Sequence, residues 1–518
     1  MEPVPESAGR CRSEYFDNLC CQLQSTFPKF VANLQAQSLE KREQGRAAVL
    51  EYSQRAHPTQ LSFHTSTELQ SYVERGHSSQ EAGIKRRLFI LEDLPRNYIE
   101  VIGSQLGVNA IFFAAHWDDP AMPTFNYRSP FTRYDNNQFI IRYPSSHRID
   151  TCQDLAEQNT VYAWDSNVNR HLYMYDPKGP LVDDPKSYHA LSFWTTGTRQ
   201  DGSWDAILLV DPPVGKIIRS VQTTSVLNIQ SRLSDADPIQ MGSLYPSIHM
   251  SYTDYPITRG DMPSRPSYMS LFDDIVSVSS YVQHDVGEDA RSTSYIARKL
   301  VIAVFLGFLR RRYLNLLGLQ SHISTAKPMN RCNYLRNFMD GSLSRWEHEL
   351  FGFIVNVKFG MNVLLKEVED NMAALGLNEN IAQENGTIPL WERDGWTAVH
   401  EGCTTILHMA DMLLNSYLQF VSIEEARSSN KGARSLARIN ILATLFIPMS
   451  TVASIFSMQE QFLPGRQFFW VFWVVSLPIL LGFAFIYLKK PLLSFPAWIA
   501  GKKDNMLLMF GMGKEDYV

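Results

Sequence analysis

Two apolar runs lie close together near the C-terminus of this chain, at Ile439–Met458 and Phe468–Leu488. Each holds 20 or 21 residues without Lys, Arg, Asp or Glu, and a membrane-spanning helix needs about 20. The nine residues between them are too few for anything but a tight antiparallel connection. The sequence therefore predicts an integral membrane protein with a two-helix hairpin at 439–488.

Basic residues flank the predicted hairpin on one side of the membrane only. The loop between the runs carries Arg466 against Glu460, whereas four basic residues precede the first run and four follow the second: Arg427, Lys431, Arg434 and Arg438, then Lys489, Lys490, Lys502 and Lys503. Because basic flanks stay cytosolic, both termini are expected in the cytosol, with the plasma membrane favoured over an organelle membrane. Residues 1–22 contain acidic residues and no apolar core, which argues against a signal or transit peptide.

The composition excludes several function classes. Six cysteines without a C-x-x-C pair fit a reducing compartment, and a net charge of −5 gives no electrostatic footprint for nucleic acid. No Gly-rich phosphate loop, His/Cys zinc cluster or Ser/His/Asp arrangement with a recognisable context occurs. We therefore expect neither an enzyme nor an organic cofactor.

The pattern of apolar, polar and turn residues changes several times along the chain, and these changes predict six regions. They are a helical extension (1–60) that includes a helix through Phe30–Tyr52, an α/β domain (61–235), a linker (236–292), a helical stalk (293–438), the hairpin (439–488) and a cytosolic tail (489–518). The ten-residue apolar run Leu300–Leu309 is half the length of a span, so it predicts a buried helix.

Short apolar runs bounded by turn residues predict the strands of the α/β domain, and longer periodic runs predict helices. The predicted strands are Arg87–Leu94, Gln138–Tyr143, Thr160–Trp164, His189–Thr195 and Ala206–Val210. The predicted helices are Asn97–Leu106, Ala110–Trp117, Leu343–Ala374 and Trp391–Glu425, the last continuing from Trp396 to Met458 into the membrane.

One face of the first span is polar. At about 100° per residue, Asn440, Thr444, Ser450, Thr451, Ser454 and Ser457 share an arc of roughly 140° in which Ile447 is the one large aliphatic residue. Leu442, Leu445, Phe446, Met449, Val452, Ile455 and Phe456 lie opposite. Polar residues inside a bilayer face protein or water. The stripe therefore lines a water-filled path between several copies of the chain, or it packs one helix against another.

The same residues carry a resemblance. Ser435–Gln459 (SLARINILATLFIPMSTVASIFSMQ) resembles the first span of the CorA family of divalent-cation channels, with residues 443–448 and 453–456 matching. Phe469–Pro478 (FWVFWVVSLP) and Leu88–Trp117 (LFILEDLPRNYIEVIGSQLGVNAIFFAAHW) resemble its fungal branch. The resemblance covers about residues 80–490 and is strongest in the hairpin.

The chain departs from that family at the outer mouth of the pore. The family carries Gly-Met-Asn there, and this chain has Ser457, Met458 and Gln459. Mg²⁺ releases its waters reluctantly, so a ring of Gln459 amides would hold the ion through water. Gly360-Met361-Asn362 also spells the motif, but it lies in a polar helix far from the membrane, where we interpret it as chance.

The resemblance implies a funnel-shaped homopentamer that conducts hydrated divalent cations, Mg²⁺ first. In it Asn440, Thr444, Ile447, Ser450, Thr451 and Ser454 line the pore, and Ile447 forms its dry constriction. Its partners would be divalent cations, membrane lipid and further copies of the chain. The pairs Asp118-Asp119, Asp183-Asp184 and Asp273-Asp274 would be metal sensors in this reading, or solvated turn residues. The alternative is a non-conducting membrane-anchored sensor or scaffold of the same fold.

Overall fold

The structure, a computed structural model, describes residues 6–52, 58–78, 85–121, 134–135, 137–146, 160–174, 185–215, 217–223, 226–228, 270–279, 289–324, 342–377, 389–458, 464–482 and 485. The chain divides into two compact units, residues 1–415 and 416–518. The α/β sheet belongs to the first unit, and the predicted hairpin at 439–488 falls in the second.

Over the described residues, the first unit is built on a mixed sheet of ten strands in the order β10-β9-β5-β6-β7-β8-β3-β1-β2, with β4 pairing beside β7. The strands are β1 (Arg46–Glu51), β2 (Thr59–Phe63), β3 (Arg86–Glu92), β4 (Gln138–Ser146), β5 (Thr160–Trp164), β6 (His171–Met174), β7 (Lys186–Thr195), β8 (Trp204–Val210), β9 (Ile217–Ser220) and β10 (Val226–Asn228). Among the described pairs only β3 and β8 run parallel. Their carboxyl ends therefore meet at one edge of the sheet.

Helices of the first unit cover both faces of its sheet. The first five are α1 (Glu6–Leu23), α2 (Pro28–Ala36), α3 (Ser66–Ser78), α4 (Arg96–Leu106) and α5 (Ala110–Trp117). After them come α6 (Leu271–Ser279), a 3₁₀ turn (Ala290–Ser294), α7 (Tyr295–Ser324), α8 (Ser342–Leu375) and α9 (Leu390–Ser457). The second unit contains the C-terminal part of α9 and a further helix, α10 (Phe469–Gly482).

Alternating side chains of the central strands divide the core into two layers. On β3, Leu88 and Ile90 join one buried cluster with residues of α6 to α9, whereas Phe89 and Leu91 join another with residues of α1 to α5. Successive side chains of a strand point to opposite faces, so a strand covered on both sides reads as a continuous apolar run. This explains why RLFILE and WDAILLV are buried along almost their whole length.

Most of the predicted elements are present with bounds shifted by a few residues. The strand Thr160–Trp164 and the helix Ala110–Trp117 begin and end where predicted. The stalk helices extend over Ser342–Leu375 and Leu390–Ser457. The apolar run Leu300–Leu309 lies in Ala290–Leu317, which is long and apolar enough to span a membrane, but 72% of the most apolar stretch of this segment is buried. This burial confirms the predicted buried helix.

The helix predicted through Phe30–Tyr52 is wrong. Helix α2 ends at Ala36, and Arg46–Glu51 forms β1, which pairs with β3 on one side and β2 on the other. Its apolar centre is buried, and a short buried strand has the same continuous apolar pattern as a turn of buried helix. The region 1–60 is therefore not wholly helical, and the region 236–292 contains α6. The remaining region boundaries stay predictions.

In the second unit, α9 and α10 carry the apolar residues that predicted the hairpin. Phe456 of α9 meets Phe472 of α10 edge-on, with ring centroids 6.2 Å apart. Gly465, between the helices, has φ 92°, a left-handed conformation that glycine adopts without strain. Ser476 of α10 is only 2% exposed.

Candidate functional site

The C-terminal part of α9 holds the sequence-predicted ion pathway. Among the described residues, two helical segments are long and apolar enough to cross a membrane, Ala290–Leu317 and Leu390–Ser457. In the most apolar stretch of the second segment, no residue is buried. Ile447, in the middle of the predicted span, is 63% exposed. The exposed apolar stretch of α9 is therefore the candidate for contact with lipid or with other copies of the chain, whereas Ala290–Leu317 is mostly buried.

Every hydroxyl of the predicted stripe donates its hydrogen to a carbonyl of its own helix. Thr444 Oγ1 donates to Asn440 O at 2.7 Å, and Thr451 Oγ1 donates to Ile447 O at 2.8 Å. The same pattern joins Ser450 to Ile447 (2.9 Å), Ser454 to Ser450 (2.8 Å) and Ser457 to Ser454 (2.9 Å). A hydroxyl has one hydrogen and two lone pairs. With the hydrogen used, the stripe offers acceptors to whatever lies over it.

Pro448 leaves one carbonyl oxygen of α9 without its helical hydrogen-bond donor. It lies inside the helix and has no N–H, so the carbonyl of Thr444, four residues earlier, loses its helical donor. Meanwhile Ile447 O accepts two side-chain hydroxyls. This part of α9 therefore combines a carbonyl without its helical donor, that of Thr444, with the hydroxyls of Ser450 and Thr451.

The predicted pore mouth is only partly described. Ser457 ends α9 and Met458 is 84% exposed beyond it, whereas Gln459 lies outside the described residues. In the second copy of the motif, in α8, Gly360 and Asn362 are exposed and only the methionine is buried. Met361 of α8 is 3% exposed and belongs to the cluster on one face of the sheet. Its burial accounts for this methionine without any role in ion binding.

The acidic pairs lie at different places in the first unit. Asp119 Oδ2 is 2.9 Å from His171 Nδ1, and Asp273 accepts from Arg46 at 2.6 Å. Burial, and secondarily the charge of Asp273, raises the pKa of Asp274 to about 8. The pair at 183–184 lies outside the described residues. Within the described ranges, no group of three or more His, Cys, Asp or Glu is arranged to hold a metal ion.

Sequence reasoning missed a buried polar network at the edge where β3 and β8 end. Asp211, directly after β8, accepts from Arg170 Nε at 2.6 Å and from Arg170 Nη2 at 2.8 Å. His116 Nε2 and His189 Nδ1 each lie 3.3 Å from it. Burial opposes ionisation of Asp211, but the Arg170 charge and the two histidines hold its pKa well below its usual range. Burial lowers the pKa of His116.

Asp93, directly after β3, is the second carboxylate of this edge. Both of its oxygens accept from the backbone N–H of Asn167, at 2.9 and 3.0 Å, and its own N–H donates to Val210 O at 3.0 Å. Burial, with smaller contributions from the charges of Asp211 and Glu92, raises its pKa to about 7. An Asp immediately after each of two apolar strands was the available sequence signal, because parallel strands bring their carboxyl ends together.

Comparison with known proteins gives structural similarities at low identity. No protein-family model matches the chain, and no curated protein matches it. The complete structure of the CorA magnesium transporter from Methanocaldococcus jannaschii is similar at 10% identity and a TM-score of 0.37, over 85% of this chain and 96% of that one. The full-length CmaX protein is similar at 10% identity and a TM-score of 0.34, over 86% and 98%.

The soluble domain of the same archaeal CorA is similar at 9% identity and a TM-score of 0.26, over 72% of this chain and 95% of that one. Identities of 9–10% mean that few side chains are shared. The roles of the residues above therefore rest on their own geometry.

Proposed function

We propose that this protein conducts hydrated divalent cations, with Mg²⁺ as first choice, along the polar stripe of α9. The observation that carries the proposal is the hydrogen-bond direction in the stripe, where the hydroxyls of Thr444, Thr451 and Ser454 donate inward to the helix. Their lone pairs remain as acceptors. The waters around a cation present hydrogens outward, so an acceptor face is complementary to a hydrated cation.

Mg²⁺ keeps several of its waters when it binds proteins. A path that accepts hydrogen bonds from these waters need not strip them, and neutral oxygens hold the ion weakly enough to release it, as conduction requires. A carboxylate row would bind more tightly. The stripe of α9 contains hydroxyls and one amide, Asn440, and no acid.

A single α9 cannot enclose such a path, so the proposal includes assembly of several copies around an axis. Closed rotational symmetry is the usual form of a homo-oligomer, and the resemblance of Ser435–Gln459 to the CorA first span supports five. In that assembly Ile447 forms an apolar ring, and apolar constrictions gate by dewetting. Ser457, Met458 and Gln459 form the outer mouth, where Gln459 binds Mg²⁺ through water.

The test is ion flux into liposomes that contain the purified full chain, with Mg²⁺, Co²⁺, Ni²⁺ and Zn²⁺ compared. We expect saturable Mg²⁺ uptake that Gln459→Ala abolishes, because the amide oxygen is lost, while assembly stays intact. Gln459→Asn combined with Ser457→Gly restores the family's motif and should keep or increase uptake. Absence of flux from both the native chain and the double variant, with assembly verified, would refute conduction.

A second candidate, a non-conducting sensor or scaffold anchored by the same helices, has its own supporting observation. Because each hydroxyl donor is already satisfied within α9, the stripe can pack against another helix without water. Ser457 and Gln459 also differ from the motif of the conducting family. This candidate predicts that the native chain conducts no ions and that Gln459→Ala leaves its cellular role unchanged. Flux gained only in the double variant would indicate a channel fold disabled at its mouth.

A further inference from the structure

The basic residues before the predicted span follow a helical period. Arg427, Lys431, Arg434 and Arg438 occupy positions i, i+4, i+7 and i+11 of α9, which is continuous over this stretch. At about 100° per residue this spacing keeps all four within an arc of roughly 60°. Lys431 and Arg434 are exposed. The four positions form one basic row along the helix.

The basic row lies on the side of α9 opposite to the polar stripe. The centres of the two arcs differ by about 180° on the helical wheel, at about 100° per residue. The row is instead aligned with Leu442 and Met449, which belong to the apolar side of the predicted span. In the same stretch, the side of the polar stripe carries Gly432, Ala433 and Leu436, which bring no charge. Positive charge is thus absent from the face that would approach a cation path.

We infer that this basic row binds the phosphate headgroups of anionic lipids in the leaflet on the N-terminal side of the span. The inference rests on the proposed membrane span of α9. The apolar face that meets acyl chains continues into the basic row, whose members precede Leu442 by about one to four turns at about 3.6 residues per turn, so that the end of the row nearest the span reaches the headgroup level. Juxtamembrane Lys and Arg are attracted to anionic headgroups, and Arg and Lys stems cover apolar surface while their charges remain in water.

A charge-conserving rearrangement tests the inference. Exchanging Arg434 with Leu436 (R434L/L436R) and Lys431 with Ala433 (K431A/A433K) moves two charges by about 160° around the helix at about 100° per residue. Composition and net charge do not change, so the insertion signal is kept. Circular dichroism verifies the fold, and either exchange alone serves as a second variant.

The assay is native mass spectrometry of the full chain in detergent, with phosphatidylglycerol and phosphatidylcholine of the same acyl chains in competition. We expect the native chain to prefer phosphatidylglycerol, and the preference to fall about fivefold for each moved charge, from about 1 kcal/mol per basic residue. Arg466→Gln, which removes a charge from the loop beyond the span, should leave the preference unchanged. Glycerol phosphate, a headgroup without acyl chains, should not compete at the same concentration.

Three outcomes would overturn the inference. An unchanged preference in the rearranged chain would show that the row does not select lipid, and displacement by glycerol phosphate would show a soluble anion site instead. Release of the chain from membranes by alkaline extraction would show that α9 does not span the membrane, and the inference rests on that span. Because lipid preference is measured without ion flux, its loss or retention is independent of whether the protein conducts.

Discussion

The raised pKa of Asp93 predicts an unusual pH dependence of stability. The carboxyl is buried at the end of β3, near Asp211, and its residue has φ 67°, a conformation that Asn also tolerates. Asp93→Asn therefore keeps the backbone and the shape of the side chain while removing the titration. One acceptor becomes a donor towards Asn167, which costs about 1 kcal/mol at every pH.

The magnitude follows from the two pKa values. Below about pH 4, Asp93 is protonated in both the folded and the unfolded chain. Between about pH 4 and 7 the unfolded chain loses its proton while the folded chain keeps it, so the free energy of unfolding falls as pH rises. A pKa raised from 3.8 to about 7 corresponds to a loss of up to about 4 kcal/mol above pH 7, at about 1.4 kcal/mol per pKa unit.

Urea unfolding of the full chain in detergent, followed by tryptophan fluorescence from pH 4 to 8, measures this loss. Relative to the native chain, Asp93→Asn should be slightly less stable near pH 4 and more stable at pH 8. Asp394→Asn, which alters an exposed carboxylate, should follow the native curve. Parallel curves for the native chain and Asp93→Asn would refute the argument, because they would mean that Asp93 ionises equally in both states.

The remaining predictions concern the membrane unit and the buried network. Tags at residues 1 and 518 should become accessible only after the membrane is permeabilised, whereas a cysteine at Pro464 should react from outside; termini on opposite sides would contradict the hairpin. Native mass in detergent should be about five times 59.2 kDa, and a monomer would contradict the pore. Ile447→Ser should raise resting leak through the wetted constriction, while Leu442→Ser, on the opposite face, should chiefly impair insertion; equal leak would reverse the assignment of faces. Arg170→Ala should lower the free energy of unfolding by about 3–5 kcal/mol, because it leaves Asp211 buried without its cation, and a loss under 1 kcal/mol in a urea titration would show that Asp211 becomes protonated instead.

The local elements could be predicted where their pattern is unambiguous. The apolar length and lack of charge at Ile439–Met458 predict a span without reference to any other residue, and the structure has one continuous helix, α9, as far as Ser457. Turn residues predicted the bounds of the strand Thr160–Trp164 correctly, and helical periodicity predicted those of the helix Ala110–Trp117. In each case the signal is contained within a window of a few turns or one strand.

The sequence by itself therefore determined the elements that are long, periodic or sharply bounded, and the positions of residues around α9. Tertiary structure alone decided that Arg46–Glu51 is a strand, because its apolar run suits a buried helix equally well until β2 and β3 pair with it. It also decided that Asp93 and Asp211, 118 positions apart in the chain, share one buried edge. Their pKa values depend on this proximity and on the water excluded around them, and neither quantity is encoded in the residues adjacent to each aspartate.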